Sequence, residues 1–217
     1  MYDPESERGK QLDLVLAVAT EHSNRTVQEK TLKSLALEWE VVLSEEQERA
    51  LASLPTIKDG AVGDTLVAIE VKACMTQHQK AFPRLLDELT ASHSTIHGDS
   101  PAALAAGLAI VNAGETFISS GRNKGQVSTG EFEVTQHRQP QDAANALRKL
   151  ERVRQRTSPG GAGFDAFAVV MLDMANDQTP VDVVRQSPAP SPDSRLFYDQ
   201  MIWQLDKRYE ESFSDLG

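Results

Sequence analysis

The segment TIKDGAVGDTLVAIEVKA, residues 56–73, contains two β-prone runs that carry charged side chains. Its second half, residues 65–72, is rich in apolar and β-branched side chains and ends in charge, which is typical of a β-strand. A shorter run of the same kind precedes it, and Gly63 and Asp64 lie between the two. Two short β-prone runs around a glycine-containing dipeptide predict a β-hairpin.

The predicted hairpin brings charged side chains onto one face. With the turn centred between Asp64 and Thr65, Asp59 stands directly opposite Glu70. Side chains alternate along a strand, so Glu70 and Lys72 share that face. Two carboxylates about 5 Å apart can share a divalent ion through oxygen ligands, as Mg²⁺ prefers. A lysine beside them can stabilise negative charge or orient an attacking water.

The order of Asp59, ten intervening residues and Glu70-x-Lys72 resembles the active-site pattern of the PD-(D/E)xK nuclease superfamily. This group includes many type II restriction enzymes, Holliday-junction resolvases and RecB-like nucleases. The resemblance covers about 20 residues, and Lys58 stands where many members have a proline. It implies an α/β fold, namely a three-layer α/β/α restriction-endonuclease-like core with a mixed central sheet and peripheral helices.

The resemblance also implies an activity and its residues. The activity is hydrolysis of double-stranded DNA by a Mg²⁺-dependent endonuclease, with Mn²⁺ as a substitute, in a type II restriction or related defence role. Asp59 and Glu70 would hold the metal, and Lys72 would assist the attacking water or the charged transition state. Many members carry a further metal-binding or water-orienting glutamate on the first helix, for which Glu38 is the candidate. Gln77 is the nearest match to a glutamine that follows the lysine in RecB-like relatives.

The segment before the hairpin predicts two helices. Residues 27–43 carry apolar side chains at helical spacing, with Glu38 at the edge of the apolar stripe. Ser44 begins a capping box, which predicts a second short helix as far as Leu54 on which Glu48 is a rival to Glu38. The first strand of the core is then either residues 39–43 or residues 12–19, and periodicity alone does not separate strand from helix in the latter run.

The segment after the hairpin predicts an alternation of helices and strands. Phe82, Leu85, Leu86 and Leu89 mark a helix, and a buried strand follows it as the fourth strand of the core. The later predicted elements are a helix at 141–156 with its basic residues outward, a strand at 164–172, a proline-rich linker at 186–194 and a closing helix at 195–213. Residues 1–25 are a possible peripheral segment of a single 217-residue domain.

Basic and imidazole side chains outside the hairpin are candidates for DNA contact: Arg84, His93, His97, Arg122 and Lys124. His93 and His97 would share a face on a helix as metal ligands. The serine, threonine and glycine residues around them favour a helix end or loop instead. Asp173 at the end of a predicted strand, with Asp177 close behind, is a second-ranked catalytic candidate.

The charge of the chain bears on the DNA hypothesis. The net charge is −10, whereas a DNA-binding protein usually shows a basic footprint. Residues 122–156 contain eight basic and four acidic residues, so the charge is uneven. Cys74 is the single cysteine, which excludes an internal disulfide and fits a cytoplasmic protein. The absence of an apolar run near 20 residues argues against a membrane span.

Two alternatives to a nuclease stay open. The first is a non-catalytic protein that kept the fold, either a nucleic-acid-binding or assembly subunit or a component of a defence system that a partner subunit activates. The second is another α/β domain in which the Glu70-x-Lys72 pair is only a solvated strand end. Symmetric cleavage of duplex DNA would call for a homodimer.

Overall fold

The computed structural model describes residues 1–3, 8–19, 31–54, 62–76, 78–124, 132–158 and 160–214. Its elements in chain order are β1 Tyr2–Asp3, β2 Arg8–Gly9, β3 Leu14–Ala19, α1 Leu32–Glu38, α2 Glu45–Ser53, β4 Val62–Cys74, α3 His78–Asp99, β5 Leu104–Asn112, β6 Thr116–Ile118, β7 Val134–Gln136, α4 Gln141–Leu150, β8 Ala166–Asp173, β9 Asp182–Val183 and α5 Tyr198–Phe213. The chain divides into two compact units, residues 1–16 with 66–217 and residues 17–65.

A five-stranded mixed sheet contains the strands in the order β3, β4, β5, β8, β9. The three central strands are parallel, and β9 runs antiparallel to β8. The register places Glu70 of β4 beside Gly107 of β5, which in turn lies beside Phe167 of β8. The parallel β4–α3–β5 crossover agrees with the prediction that a buried strand follows the helix. The α/β class is therefore confirmed.

The predicted hairpin is wrong. β4 is one continuous strand of 13 residues, and Gly63 and Asp64 lie inside it instead of forming a turn. The central part of β4 is buried, as expected for a strand with neighbours on both sides and helices above and below. Strand pairing across the sheet thus outweighs the local turn preference of a glycine-containing dipeptide. Asp59 lies outside the described residues, but no turn at Asp64 places it opposite Glu70.

Helices cover both faces of the sheet. Alternate residues of β8 belong to two different apolar clusters, because successive side chains point to opposite faces. Phe167, Val169 and Met171 pack with apolar side chains of α3 and α4, whereas Ala166 and Ala168 pack against Met201 of α5. The main core therefore lies between the sheet and the α3–α4 pair, and α5 closes the opposite face.

The helices differ from the predictions mainly in their ends. The helix expected at residues 27–43 is α1, which begins at Leu32 and ends at Glu38. The capping box at Ser44 is confirmed, with Ser44 and Gln47 bonded reciprocally at the start of α2. α4 ends at Leu150, six residues before the predicted end. α3 continues to Asp99, so the helix end or loop expected around His93 is wrong.

The strand hypotheses for the N-terminal half are decided in favour of residues 14–19. These form β3, a neighbour of β4, whereas residues 39–43 form no strand. Within the described part of the chain, no helix combines the length and apolar character that a membrane span requires.

Candidate functional site

The candidate site is built on β4, where Glu70 and Lys72 project from the same face. Ala68 and Cys74 flank this pair on the same alternation and belong to the core beneath α3. Glu70 is 1% exposed, and Lys72 Nζ lies 2.5 Å from Glu70 Oε1. The sequence prediction that Glu70 and Lys72 share a face is therefore confirmed, and the two side chains are in direct contact.

A third charged group reaches the pair from the N-terminal segment. Lys10 Nζ lies 3.2 Å from Glu70 Oε1 and donates a hydrogen bond of 2.9 Å to the carbonyl oxygen of Glu88 on α3. It also contacts the hydroxyl of Ser92, one turn further along α3. Lys10 thus connects the buried carboxylate to the helix that covers it.

Acidic side chains surround Lys72. Glu88 Oε2 lies 3.9 Å from Lys72 Nζ, and Asp13 accepts a hydrogen bond of 2.6 Å from the backbone N–H of Val71. Burial alone would lower the pKa of Lys72, but the ion pair with Glu70, together with Asp13 and Glu88, raises it. Lys72 is therefore a cation at neutral pH, which suits stabilisation of negative charge and not proton abstraction.

By hydrogen-bond geometry, neither oxygen of the buried Glu70 carboxylate has a partner among the described residues. The ammonium groups of Lys10 and Lys72 lie within ion-pair distance of Oε1, whereas Oε2 has no ion-pair contact with a described residue. A buried carboxylate oxygen usually has a partner, so such an atom indicates a ligand or solvent position. Among the described residues no three histidine, cysteine or acidic side chains are grouped closely enough to hold a metal ion.

A groove of about 480 Å³ opens beside Lys72. Thr76, Lys80, Arg84 and Glu88 contribute to its walls. Arg84 is itself exposed and donates a hydrogen bond of 2.6 Å to Glu88; this bond lowers the pKa of Glu88. The groove is lined by Lys72 and not by Glu70, and its walls carry both signs of charge.

The remaining predicted catalytic residues are either outside the described part of the chain or on elements other than β4. Asp59 and Gln77 lie outside the described residues, so their roles stay predictions. Glu38 is the last residue of α1, and its rival Glu48 lies on α2; both belong to the second compact unit. Asp173 ends β8 at the surface.

The two histidines of α3 have structural surroundings. His93 is 5% exposed, and its ring lies edge-on to Phe164 with the ring centres 5.2 Å apart. His97 Nε2 lies 3.4 Å from Oδ2 of the buried Asp165. One helix turn separates them, yet one packs into the core and the other lies beside the buried carboxylate of Asp165.

The acid sensitivity of the fold should depend on His93. Burial, reinforced by His97 and Arg154, lowers the pKa of His93 to about 4, below its usual value of about 6.5. The unfolded chain takes up this proton at higher pH, so stability is present above pH 6.5 and is lost as the pH falls toward 4. We expect this contribution to be on the order of 2 kcal/mol.

Comparison of the wild type with His93→Gln tests this expectation. The free energy of unfolding, measured by denaturant titration at pH 7 and pH 4.5, should fall more steeply with acidification in the wild type. Any packing cost of the substitution is present at both pH values and cancels from the comparison. An equal loss in both proteins would contradict the assignment.

The basic candidates for DNA contact are distributed over several places. Arg122 pairs with Glu133 at 2.7 Å, and Lys124 is exposed nearby. Arg156, expected on the outer face of a helix, is instead 8% exposed and paired with Asp165. That part of the prediction is wrong, because the helix ends before Arg156 and the chain turns the guanidinium inward.

Sequence analysis missed Lys10, Asp13 and Glu88. Asp13 directly precedes the apolar run of β3. An acidic residue at the end of an apolar run is a signal that the sequence offers. Lys10 carries no such signal, since its contacts to Glu70 and Glu88 join residues far apart in the chain. Comparison with known proteins found no matching family model, no matching curated protein and no matching solved structure.

Proposed function

We propose that the chain is a metal-dependent DNA endonuclease with a restriction-endonuclease-like core. The observation that carries the proposal is the pair on β4. The carboxylate of Glu70 is buried, and its Oε2 has neither a hydrogen bond nor an ion pair with a described residue, whereas Lys72 contacts its Oε1 and lines a groove. The parallel β4–α3–β5 unit and the helices on both faces are compatible with such a core.

The residues present fit a magnesium ion in part. Mg²⁺ uses one or two protein carboxylates and completes its octahedral shell with water and substrate phosphates. Glu70 supplies one oxygen that lacks a donor among the described residues. A second carboxylate would come from Asp59, as the resemblance implies, or from Asp13, which the structure brings to the same strand. Glu38 remains a proposed further ligand.

The bound ion would activate a water molecule and offset charge on the attacked phosphate. The chain's own residues position the substrate around it. Lys72 would stabilise the negative charge that develops on the phosphate oxygens, and its raised pKa keeps it protonated for that task. Lys10 contacts the same oxygen of Glu70 as Lys72 does and connects Glu70 to α3. Gln77 would support the site beyond the strand end.

Replacement of Lys72 by alanine is expected to reduce cleavage about 100- to 1,000-fold, because it removes the cation that stabilises transition-state charge. The measurement is conversion of supercoiled plasmid to nicked or linear DNA in the presence of Mg²⁺ or Mn²⁺. Lys207→Ala is the matched control, since Lys207 is an exposed lysine whose contacts, a 4.0 Å ion pair to Glu211 and the ring of Trp203 at 5.6 Å, are both within α5.

Two outcomes would contradict the proposal. Cleavage by Lys72→Ala at the rate of the control would remove Lys72 from the active site. A wild type inactive with both metals on plasmid and on single-stranded DNA would argue against a self-sufficient nuclease. Circular dichroism of each variant verifies that the loss is not a failure to fold.

A non-catalytic role is the second candidate, and one observation favours it. Glu70 Oε1 contacts two ammonium groups at once, so the charge of the carboxylate is already balanced without a metal ion. Buried acids paired in this way can serve fold specificity alone. In that case the protein would be a nucleic-acid-binding or assembly subunit, and it would bind without cleaving in the plasmid experiment.

A further inference from the structure

A second polar pocket lies at the carboxyl ends of β4 and β5, and it has a volume of about 280 Å³. It belongs to the larger compact unit. In sheets with parallel strands, ligands bind outside the carboxyl ends of those strands. The charged and imidazole side chains that line the pocket are His78, Lys80, Arg122, His137, Arg138 and Asp142.

The charge of this pocket is positive. Three of its side chains are cations, whereas Asp142 is the one acid among the described residues that line it. Asp142 is satisfied locally, since it accepts a hydrogen bond of 2.9 Å from the backbone N–H of Arg138 and lies 3.6 Å from its guanidinium. Arg122 is held by Glu133 at 2.7 Å. Lys80 forms no ion pair with any residue that the structure describes.

Two histidine rings form the inner wall. His78 is 4% exposed, and its Nε2 lies 2.8 Å from the carbonyl oxygen of Asn112. His137 Nδ1 lies 2.9 Å from the carbonyl oxygen of Gly114. A carbonyl only accepts, so each of these nitrogens carries a proton. The rings meet edge to face with their centres 4.9 Å apart, which fixes both orientations.

The protonation of His78 depends on the charges around this pocket. Burial lowers the pKa of His78, and the neighbouring His137 lowers it further, against the opposing effects of the Asn112 carbonyl and Asp142. An anion in the pocket would raise the pKa of His78 and favour the charged form of its ring. The N-termini of α3 at His78 and of α4 at Gln141 lie at this same edge of the sheet. The positive ends of both helix dipoles therefore also favour an anion there.

The pocket adjoins the Glu70–Lys72 region. Lys80 lines both the pocket and the groove beside Lys72. His137 Nε2 lies 3.3 Å from the hydroxyl of Thr76, which also lines that groove. A chain of phosphates entering the groove would therefore meet cationic side chains at both places.

We propose that this pocket holds one backbone phosphate of a double-stranded DNA whose neighbouring segment occupies the groove at Lys72. The inference that the neighbouring segment is cleaved at Lys72 rests on the proposed nuclease function, whereas the phosphate site in the pocket does not. The pocket shares Lys80 with the groove beside Lys72. It suits a phosphate on a strand that continues past it.

The test measures DNA binding without cleavage. Fluorescence anisotropy of a labelled 20-base-pair duplex in EDTA, across a series of potassium chloride concentrations, compares the wild type with Arg138→Ala, Arg138→Lys and the control Lys207→Ala. Arg138 lines the pocket and not the groove beside Lys72. We expect Arg138→Ala to bind roughly tenfold more weakly, with a salt slope reduced by about one. Arg138→Lys should retain most of the affinity.

Nuclear magnetic resonance of the histidine ring protons identifies the site directly. Titration with the duplex in EDTA should shift the signals of His78 and His137 and leave that of the buried His93 unchanged; His78→Gln and His137→Gln assign the signals. The inference is supported if Arg138→Ala weakens duplex binding and the duplex shifts the signals of His78 and His137. If the same protein cleaves no DNA with any metal, only the nuclease proposal fails.

Other outcomes overturn it. Duplex binding and salt slope in Arg138→Ala equal to those of Lys207→Ala would exclude a phosphate contact in this pocket, whether or not the wild type cleaves DNA. Shifts of the two histidine signals with inorganic phosphate but not with the duplex would assign the pocket to a free phosphate group and contradict the DNA inference. Absence of any duplex binding by the wild type would contradict it as well.

Discussion

A Glu70→Gln variant is expected to lose metal-dependent cleavage by about 1,000-fold while remaining folded. Glutamine matches the volume of glutamate but removes the charge that a divalent ion requires. A metal ion contributes several kcal/mol of transition-state stabilisation, which corresponds to roughly three decades in rate. The fold should tolerate the change, because the side chains of Lys10 and Lys72 are 20% and 25% exposed and can turn toward solvent. We expect a cost of about 1 kcal/mol.

The thermal stability provides an independent measurement. Saturating Mg²⁺ should raise the midpoint of thermal unfolding of the wild type, since an ion at 100 times its Kd stabilises a protein by about 2.7 kcal/mol. Glu70→Gln should lose this shift. Glu211→Gln is the matched control, because Glu211 is a largely exposed acid whose ion pair is with Lys207 of the same helix. A variant that keeps both cleavage and the Mg²⁺-dependent shift would contradict the role of Glu70.

An Asp165→Asn variant is expected to lose about 3–5 kcal/mol of stability, because it leaves buried cations without their counter-charge. The carboxylate of Asp165 is fully buried and accepts from Arg156 Nε at 2.5 Å, from Arg208 Nη1 at 2.8 Å and from the backbone N–H of Ala105 at 2.8 Å. His97 approaches its other side. Burial alone would raise the pKa of Asp165, but these donors hold it below the usual value.

The size of this effect follows from where Asp165 lies. Its partners come from α3, from the start of β5, from the segment before β8 and from α5, so helices on both faces of the sheet meet at one carboxylate. Asparagine would turn an N–H group toward existing donors and leave Arg156, only 7% exposed in its side chain, unpaired. We expect the midpoint of thermal unfolding to fall by about 10 °C.

Circular dichroism during heating measures this change. Asp206→Asn is the control, because Asp206 is exposed on α5 and its substitution should change stability by less than about 0.5 kcal/mol. A midpoint for Asp165→Asn within 2 °C of that control would show that the network contributes little. The low pKa of Asp165 also means that its contribution is present above the unfolded pKa and is lost on acidification.

Much of the secondary structure follows from local pattern. The apolar run of β5, the helical spacing on α3 and the capping box at Ser44 each depend on neighbouring residues, and each was predicted correctly in kind. The shared face of Glu70 and Lys72 follows from the two-residue period of a strand, which no tertiary contact alters. Errors fall where a local signal competes with packing, as for Gly63 and Asp64 inside β4.

The candidate site was predictable only in its β4 part. Glu70 and Lys72 were identified from the sequence because they lie two residues apart. Lys10 and Glu88 join them through the docking of the N-terminal segment and α3 on the sheet. The contact between His78 and His137 likewise arises because the ends of different strands meet at one edge of the sheet.

Local sequence pattern thus predicts the α/β class, most strands and helices, and the face that carries Glu70 and Lys72. The continuity of β4 through its predicted turn, the burial of Glu70 in contact with two lysines, and the pairing of Asp165 with Arg156 and Arg208 follow from tertiary packing alone. These two groups of features differ in the range of the interactions that produce them. Periodicity and capping act over a few residues, whereas burial and ion pairing depend on which distant segments pack together.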